Sequence, residues 1–145
     1  MTYKAETEIT APAERIFELI GDFGRHSEWA AHQLRIEAEG DGAMSVGAKF
    51  RSLGHQMGRD VPNQLTVTEY SPPNRLVFEA DGQEGTFRHG FELRPSGDRT
   101  RVTKTLDVVR ASLPTKLLAP LFAIIGPRGL AADLRRLKAK LELSS

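Results

Sequence analysis

The side chains best placed to do chemistry lie on one predicted strand and the strand after it. Alternation over residues 85–95 turns Phe87, His89, Phe91 and Leu93 to one side, and Thr86, Arg88, Gly90 and Glu92 to the other. One imidazole therefore stands in an aromatic surface. A half-buried histidine can serve as a general base or a hydrogen-bond donor near neutral pH. On the following strand Lys104 could stabilise an enolate or phenolate oxygen if it reaches the same space, and Ser52 could offer a hydroxyl. Plainer roles stay open for both charged groups. His89 could be a core imidazole satisfied by a threonine hydroxyl or a backbone carbonyl. Lys104 could lay its stem on apolar surface and send its ammonium to water at the sheet edge.

Other chemistries find no support in the spacing. His26, His32 and His55 do not fall at zinc-ligand intervals and no acidic pair accompanies them, so no metal is expected. The glycines follow no phosphate-cradling order between a strand and a helix, which removes a nucleotide reading, and no cofactor is expected. Cysteine is absent, which excludes disulfides and thiolate metal sites and fits a reducing compartment. Lys plus Arg number 20 against 19 Asp plus Glu, a formal charge of +1. Nothing global steers such a chain to nucleic acid, and a neutral or apolar partner is the natural expectation. Residues 1–10 are polar and alternating, with neither a signal-peptide core nor a transit pattern, so the expected location is cytoplasmic.

The elements that must carry these groups follow from pattern and punctuation. Residues 3–10 alternate as a first strand. Pro12 and Glu14 suit a helix start, Ile16, Leu19, Ile20 and Phe23 supply its apolar stripe, and Gly24 is the expected stop. A second short helix is expected over 25–31, carrying Trp29, then a strand over 34–38. Strands follow at 48–56, 61–70, 75–80, 85–94 and 99–109, joined at Gly58, Ser71-Pro72-Pro73-Asn74, Asp81-Gly82 and Pro95-Ser96-Gly97-Asp98. This is an antiparallel meander. The chain of 145 residues shows no linker or repeat and fits one domain, 1–145.

The C-terminal part is helical. Ser112 can cap, and Leu130, Leu134, Leu137 and Leu141 draw one apolar line. Arg135, Arg136, Lys138 and Lys140 read as a solvated face. Residues 117–125 differ, being apolar on too many sides for one buried stripe, yet too few for the roughly 20 that span a bilayer, so stable membrane insertion is not expected. Pro120 and Gly126-Pro127 should kink or split the helix there, which makes the segment a candidate gate.

The order of strand, two short helices, six strands and a long helix resembles the SRPBCC superfamily, with its START-like or Bet v 1-like helix-grip fold, and most closely its polyketide cyclase/dehydrase-like branch. The residues that carry the resemblance are Ile9-Thr10-Ala11-Pro12-Ala13-Glu14-Arg15-Ile16-Phe17 with Asp22, Trp29 and Gly47. Val67-Thr68-Glu69-Tyr70-Ser71-Pro72-Pro73-Asn74-Arg75-Leu76, Thr100-Arg101-Val102-Thr103 and Leu137-Lys138-Ala139-Lys140-Leu141-Glu142 complete it. The resemblance implies an α+β fold in which a curved antiparallel sheet of about seven strands grips the long C-terminal helix over a deep ligand cavity. The superfamily has no universal catalytic motif, so it implies no catalytic residue here.

With that geometry, strand parity names a cavity wall: Phe50, Ser52, Leu65, Val67, Leu76, Phe78, Phe87, His89, Phe91, Leu93, Val102, Lys104 and Leu106. A bulge at Gly54, Gly58 or Gly90 would reverse the parity beyond it. Trp29 should pack at the cavity mouth or in the core, and Leu121, Phe122 and Ile125 join the expected ligand contacts. The wall has no paired carboxylates for glycosidase work. Three functions are consistent with these residues. The first is binding of an apolar or aromatic, lipid- or polyketide-like small molecule. The second is a cyclase or dehydratase in which His89 removes a proton next to a ketone and Lys104 or Ser52 steadies the oxyanion. The third is an interaction module using residues 117–125 against a membrane or a partner. Binding leads, because an apolar pocket needs no alignment of several groups. Assembly stays open, a homodimer included.

Overall fold

A computed structural model of the chain describes residues 1–30, 34–56 and 58–143. His32 and Ala31, which figure in the expectations above, lie outside these residues. β1 (Thr2–Ile9) buries Tyr3 and Ile9 and leaves Lys4, Glu6 and Glu8 in water, as alternation requires. Pro12 is extended and precedes α1 (Ala13–Gly21) as its cap, one position earlier than expected. α1 buries Ile16, Phe17, Leu19 and Ile20. It ends before Gly24, because Asp22 leaves helical geometry. The chain tightens at once into a 3₁₀ helix, Phe23–Glu28, which begins before the predicted second helix and delivers Trp29 at its end.

The strands β2 (Leu34–Glu39), β3 (Lys49–Gln56), β4 (Arg59–Ser71), β5 (Arg75–Gly82), β6 (Gly85–Ser96) and β7 (Arg99–Ala111) join β1 in one seven-stranded antiparallel sheet. Its order is β1-β7-β6-β5-β4-β3-β2. β1 and β2 are therefore consecutive in sequence and at opposite edges. The segment between them, α1 and the 3₁₀ helix, has to cross the face of the curved sheet, which is how Phe23 and Trp29 reach the interior.

Two details depart from expectation. Asp81 and Gly82 are strand rather than turn: Gly82 pairs with Gly85, and the reversal is made by Gln83 and Glu84. Gly85 has φ +143°, and a Cβ there would sit 2.0 Å from the Arg110 carbonyl oxygen, so only glycine fits the start of β6. The register shifts lie between Val67 and Glu69 and between Thr86 and Phe87, not at the glycines, so inward parity survives along the whole of β6 beyond Phe87.

Ser112 caps α2 (Leu113–Leu117), accepting from the Thr115 amide at 3.4 Å. The break comes at Leu118, and α3 (Ala119–Leu143) then runs without interruption through Gly126-Pro127. Pro120 falls in the first turn of α3, where its missing N–H costs nothing. Gly126 is where α3 crosses Tyr3: a Cβ there would lie 3.4 Å from the ring. α3 packs on β1 and β7 through Leu130, Leu134, Leu137 and Leu141, the predicted stripe. The resulting core joins Leu134, Leu137 and Leu141 to α1, the 3₁₀ helix and the inner face of the sheet. The fold is the helix-grip α+β architecture.

Candidate functional site

Register sets the inner face in rows across the sheet. One row runs Val67, Phe78, His89, Leu106 and Tyr3, and the next runs Leu76, Phe91, Lys104 and Ala5. His89 and Lys104 are thus on adjacent strands and in adjacent rows. Phe50, Ser52, Leu65, Val67, Phe78 and Phe91 are buried on this face, and Phe87 and Leu106 are half-buried on it.

Lys104 is only 4% exposed, and its Nζ lies 3.1 Å from Oδ2 of Asp133 on α3. The ammonium also stands 5.2 Å from the Phe91 ring centre and 6.0 Å from that of Trp29. It does not reach water at the sheet edge, because Asp133 holds it inside. Asp133 went unrecognised in the sequence, although a signal existed: it is the one acidic residue on the Leu130–Leu141 stripe, facing a strand with one inward lysine.

His89 stacks on Phe78, with ring centres 4.9 Å apart and planes 9° from parallel. Its Nδ1 is buried and has no hydrogen-bond partner among the described residues. Burial is the main reason its pKa falls to about 3, and the nearby Lys104 and His26 lower it further. The imidazole is therefore neutral at ordinary pH, with one N–H and one lone pair to offer.

Trp29 is 1% exposed, in the core rather than at a mouth. It meets His26 at 4.6 Å and Phe91 at 6.0 Å, both edge to face, and its carbonyl accepts from Arg136 Nε at 3.2 Å. Its indole Nε1, like His89 Nδ1, is buried without a partner among the described residues. Phe23 wedges edge-on between Phe50 at 4.8 Å and Phe78 at 5.0 Å. The rings of Phe23 and Trp29 pack into the core on the side of the sheet where the resemblance implies a cavity. The two surface hollows described lie elsewhere, one along residues 39–50 and one on the outer face of the sheet around Val77 and Gly90.

The other expected contacts are not brought to this cluster. Leu121 and Ile125 are exposed and Phe122 is half-buried near the start of α3. Among the described residues no group of His, Cys, Asp or Glu is arranged to hold a metal ion.

The fold is shared with solved structures of low sequence identity. TTHA0849 from Thermus thermophilus superposes with a TM-score of 0.82 at 22% identity, over 100% of this chain and 99% of that one. DR_A0006 from Deinococcus radiodurans gives 0.71 at 18% identity, over the full length of both chains. DynU16, from the dynemicin biosynthetic locus, gives 0.70 at 20% identity, covering 99% of this chain and 48% of that one. No curated protein matches the sequence. The family model described as polyketide cyclase / dehydrase and lipid transport matches residues 1–142. With nearly every residue inside that match, the chain belongs to this polyketide cyclase/dehydrase and lipid transport family.

Proposed function

We propose that the protein binds an apolar or aromatic small molecule carrying at least one oxygen, beneath the 3₁₀ helix and against His89, Trp29 and Phe78. The observation that supports this most is the pair of buried nitrogens without partners among the described residues, Trp29 Nε1 and His89 Nδ1. A buried polar group left unpaired costs about 1–3 kcal/mol, and native interiors rarely keep such groups without a use. Each of the two rings packs on a phenylalanine, Trp29 on Phe91 and His89 on Phe78, and such surroundings suit a flat apolar body. The indole needs an acceptor, and a hydroxyl or carbonyl oxygen on the ligand supplies one. Membership of a family described as polyketide cyclase / dehydrase and lipid transport agrees with a ligand of this class.

Entry requires Phe23 and Trp29 to move, and the tethers of the 3₁₀ helix allow it. Glu28 pairs with Arg25 at 2.9 Å and with Lys140 at 3.2 Å, and Arg136 holds the Trp29 carbonyl. The two ion pairs are exposed, and such pairs contribute little individually. An enzymatic role for His89 draws less support, since a base with a pKa near 3 takes up protons poorly at neutral pH. Mass spectrometry of protein purified natively and then denatured tests the binding reading. Release of a low-mass apolar compound is the expected result. If none is released and hydroxynaphthalenes leave the fluorescence of Trp29 unchanged, the reading fails.

A further inference from the structure

The N-terminal part of the helical region has its amphipathicity inverted. Leu130, Leu134, Leu137 and Leu141 face the sheet, but Leu118, Leu121, Ile124, Ile125 and Arg128 recur at helical spacing on the opposite side. These leucines and isoleucines are half exposed, from 45% at Ile125 to 56% at Ile124, and Leu117 and Leu113 beside them are 74% and 69% exposed. A cluster of large apolar side chains in water marks a surface that meets something.

The charge around it selects the partner. Between Asp107 and Asp133 the chain contains no acidic residue, while Arg110, Lys116 and Arg128 lie within that stretch and Arg135 lies just beyond. Lys116, Arg128 and Arg135 are exposed and have no carboxylate partner among the described residues. Asp133 is buried against Lys104 and does not offset them at the surface. We propose that the outward face of α2 and the first turns of α3 docks on an anionic lipid bilayer surface, its leucines and isoleucines in the headgroup–acyl boundary and its basic side chains at the phosphates. No helix among the described residues is long and apolar enough to cross a membrane, so the contact lies in the plane of the interface. A second copy of the chain fits less well, because a two-fold contact through this patch would set its unpaired cations against themselves.

Co-sedimentation with vesicles of phosphatidylcholine mixed with phosphatidylglycerol, against vesicles of phosphatidylcholine alone, tests the proposal. The protein should bind the mixed vesicles, weaken as salt rises, and bind the neutral ones poorly. K116Q and R128Q should each weaken binding roughly fivefold, and the double variant L121Q/I125Q roughly tenfold or more, because all four side chains are exposed and the fold does not depend on them. No binding to either vesicle, or binding unchanged by L121Q/I125Q, overturns the proposal. So does a dimer in sedimentation velocity that L121Q/I125Q converts to monomer, which would assign the patch to a second copy.

Discussion

The two ends of the interior treat their polar groups differently. Where α3 covers β7 and β1, every buried polar contact described is closed: Lys104 meets Asp133 at 3.1 Å, and the Thr100 hydroxyl donates to the Ala11 carbonyl at 2.8 Å. Beneath the 3₁₀ helix, Trp29 Nε1 and His89 Nδ1 have no partner among the described residues. The first end behaves as finished structure. The second carries a polar deficit in an aromatic setting, and a ligand with one or two oxygens would relieve it. The contrast ties stability to the first end and binding to the second.

Breaking the closed end should have the largest effect. Asp133→Ala leaves the Lys104 ammonium buried and alone, and should destabilise the fold by about 3–5 kcal/mol in urea unfolding. The double variant Lys104→Met, Asp133→Leu should recover most of that loss, since a buried pair and apolar residues of similar volume are often close in stability. Thr100→Val should cost about 1–3 kcal/mol by stranding the Ala11 carbonyl.

The open end should respond to pH rather than to truncation. The folded imidazole of His89 has its pKa lowered from 6.5 to about 3, so the unfolded chain binds more protons between those values. The stabilising contribution is therefore complete above pH 6.5 and is lost as pH falls toward 3, at up to about 1.4 kcal/mol per pH unit. In His89→Leu this part of the pH dependence should vanish, while stability at pH 7 should not fall, because only an unpaired imidazole is removed. A large loss at pH 7 would show that His89 belongs to the closed end.

The smallest effect concerns the 3₁₀ helix. Its Glu28 carboxylate is held at a pKa of about 2 by hydrogen bonds from Arg25 and Lys140, so this tether is intact above pH 4.5 and released as pH falls toward 2. Glu28→Gln should mimic the release at neutral pH. Faster amide exchange at residues 23–30, with global stability nearly unchanged, is the expected result.

Much of this frame was legible in the residues. Period-two alternation placed Phe78, His89, Phe91 and Lys104 on one face, and register confirmed it because the bulges fell outside that block. The Leu130 to Leu141 spacing found the buried side of α3. What local pattern could not give was the third dimension. Nothing near Phe23 or Trp29 says that they fill the space the sheet encloses; that follows from β1 and β2 being at opposite edges, which forces the intervening chain across the face. Backbone chemistry alone puts the helix break at Pro120 and Gly126-Pro127. Yet a proline in the first turn is no obstacle, and Gly126 serves the contact with Tyr3.

The indole N–H resonance of Trp29, the one tryptophan in the chain, tests the central claim most directly. In 15N-labelled protein titrated with hydroxynaphthalenes and medium-chain fatty acids, the free indole should report an N–H without an acceptor. At least one of these compounds should move it downfield as the ligand oxygen becomes that acceptor, and His89→Leu should weaken the binding. A resonance that stays in place while a compound binds, or that moves identically in wild type and His89→Leu, would contradict the assignment of ligand to this end of the interior.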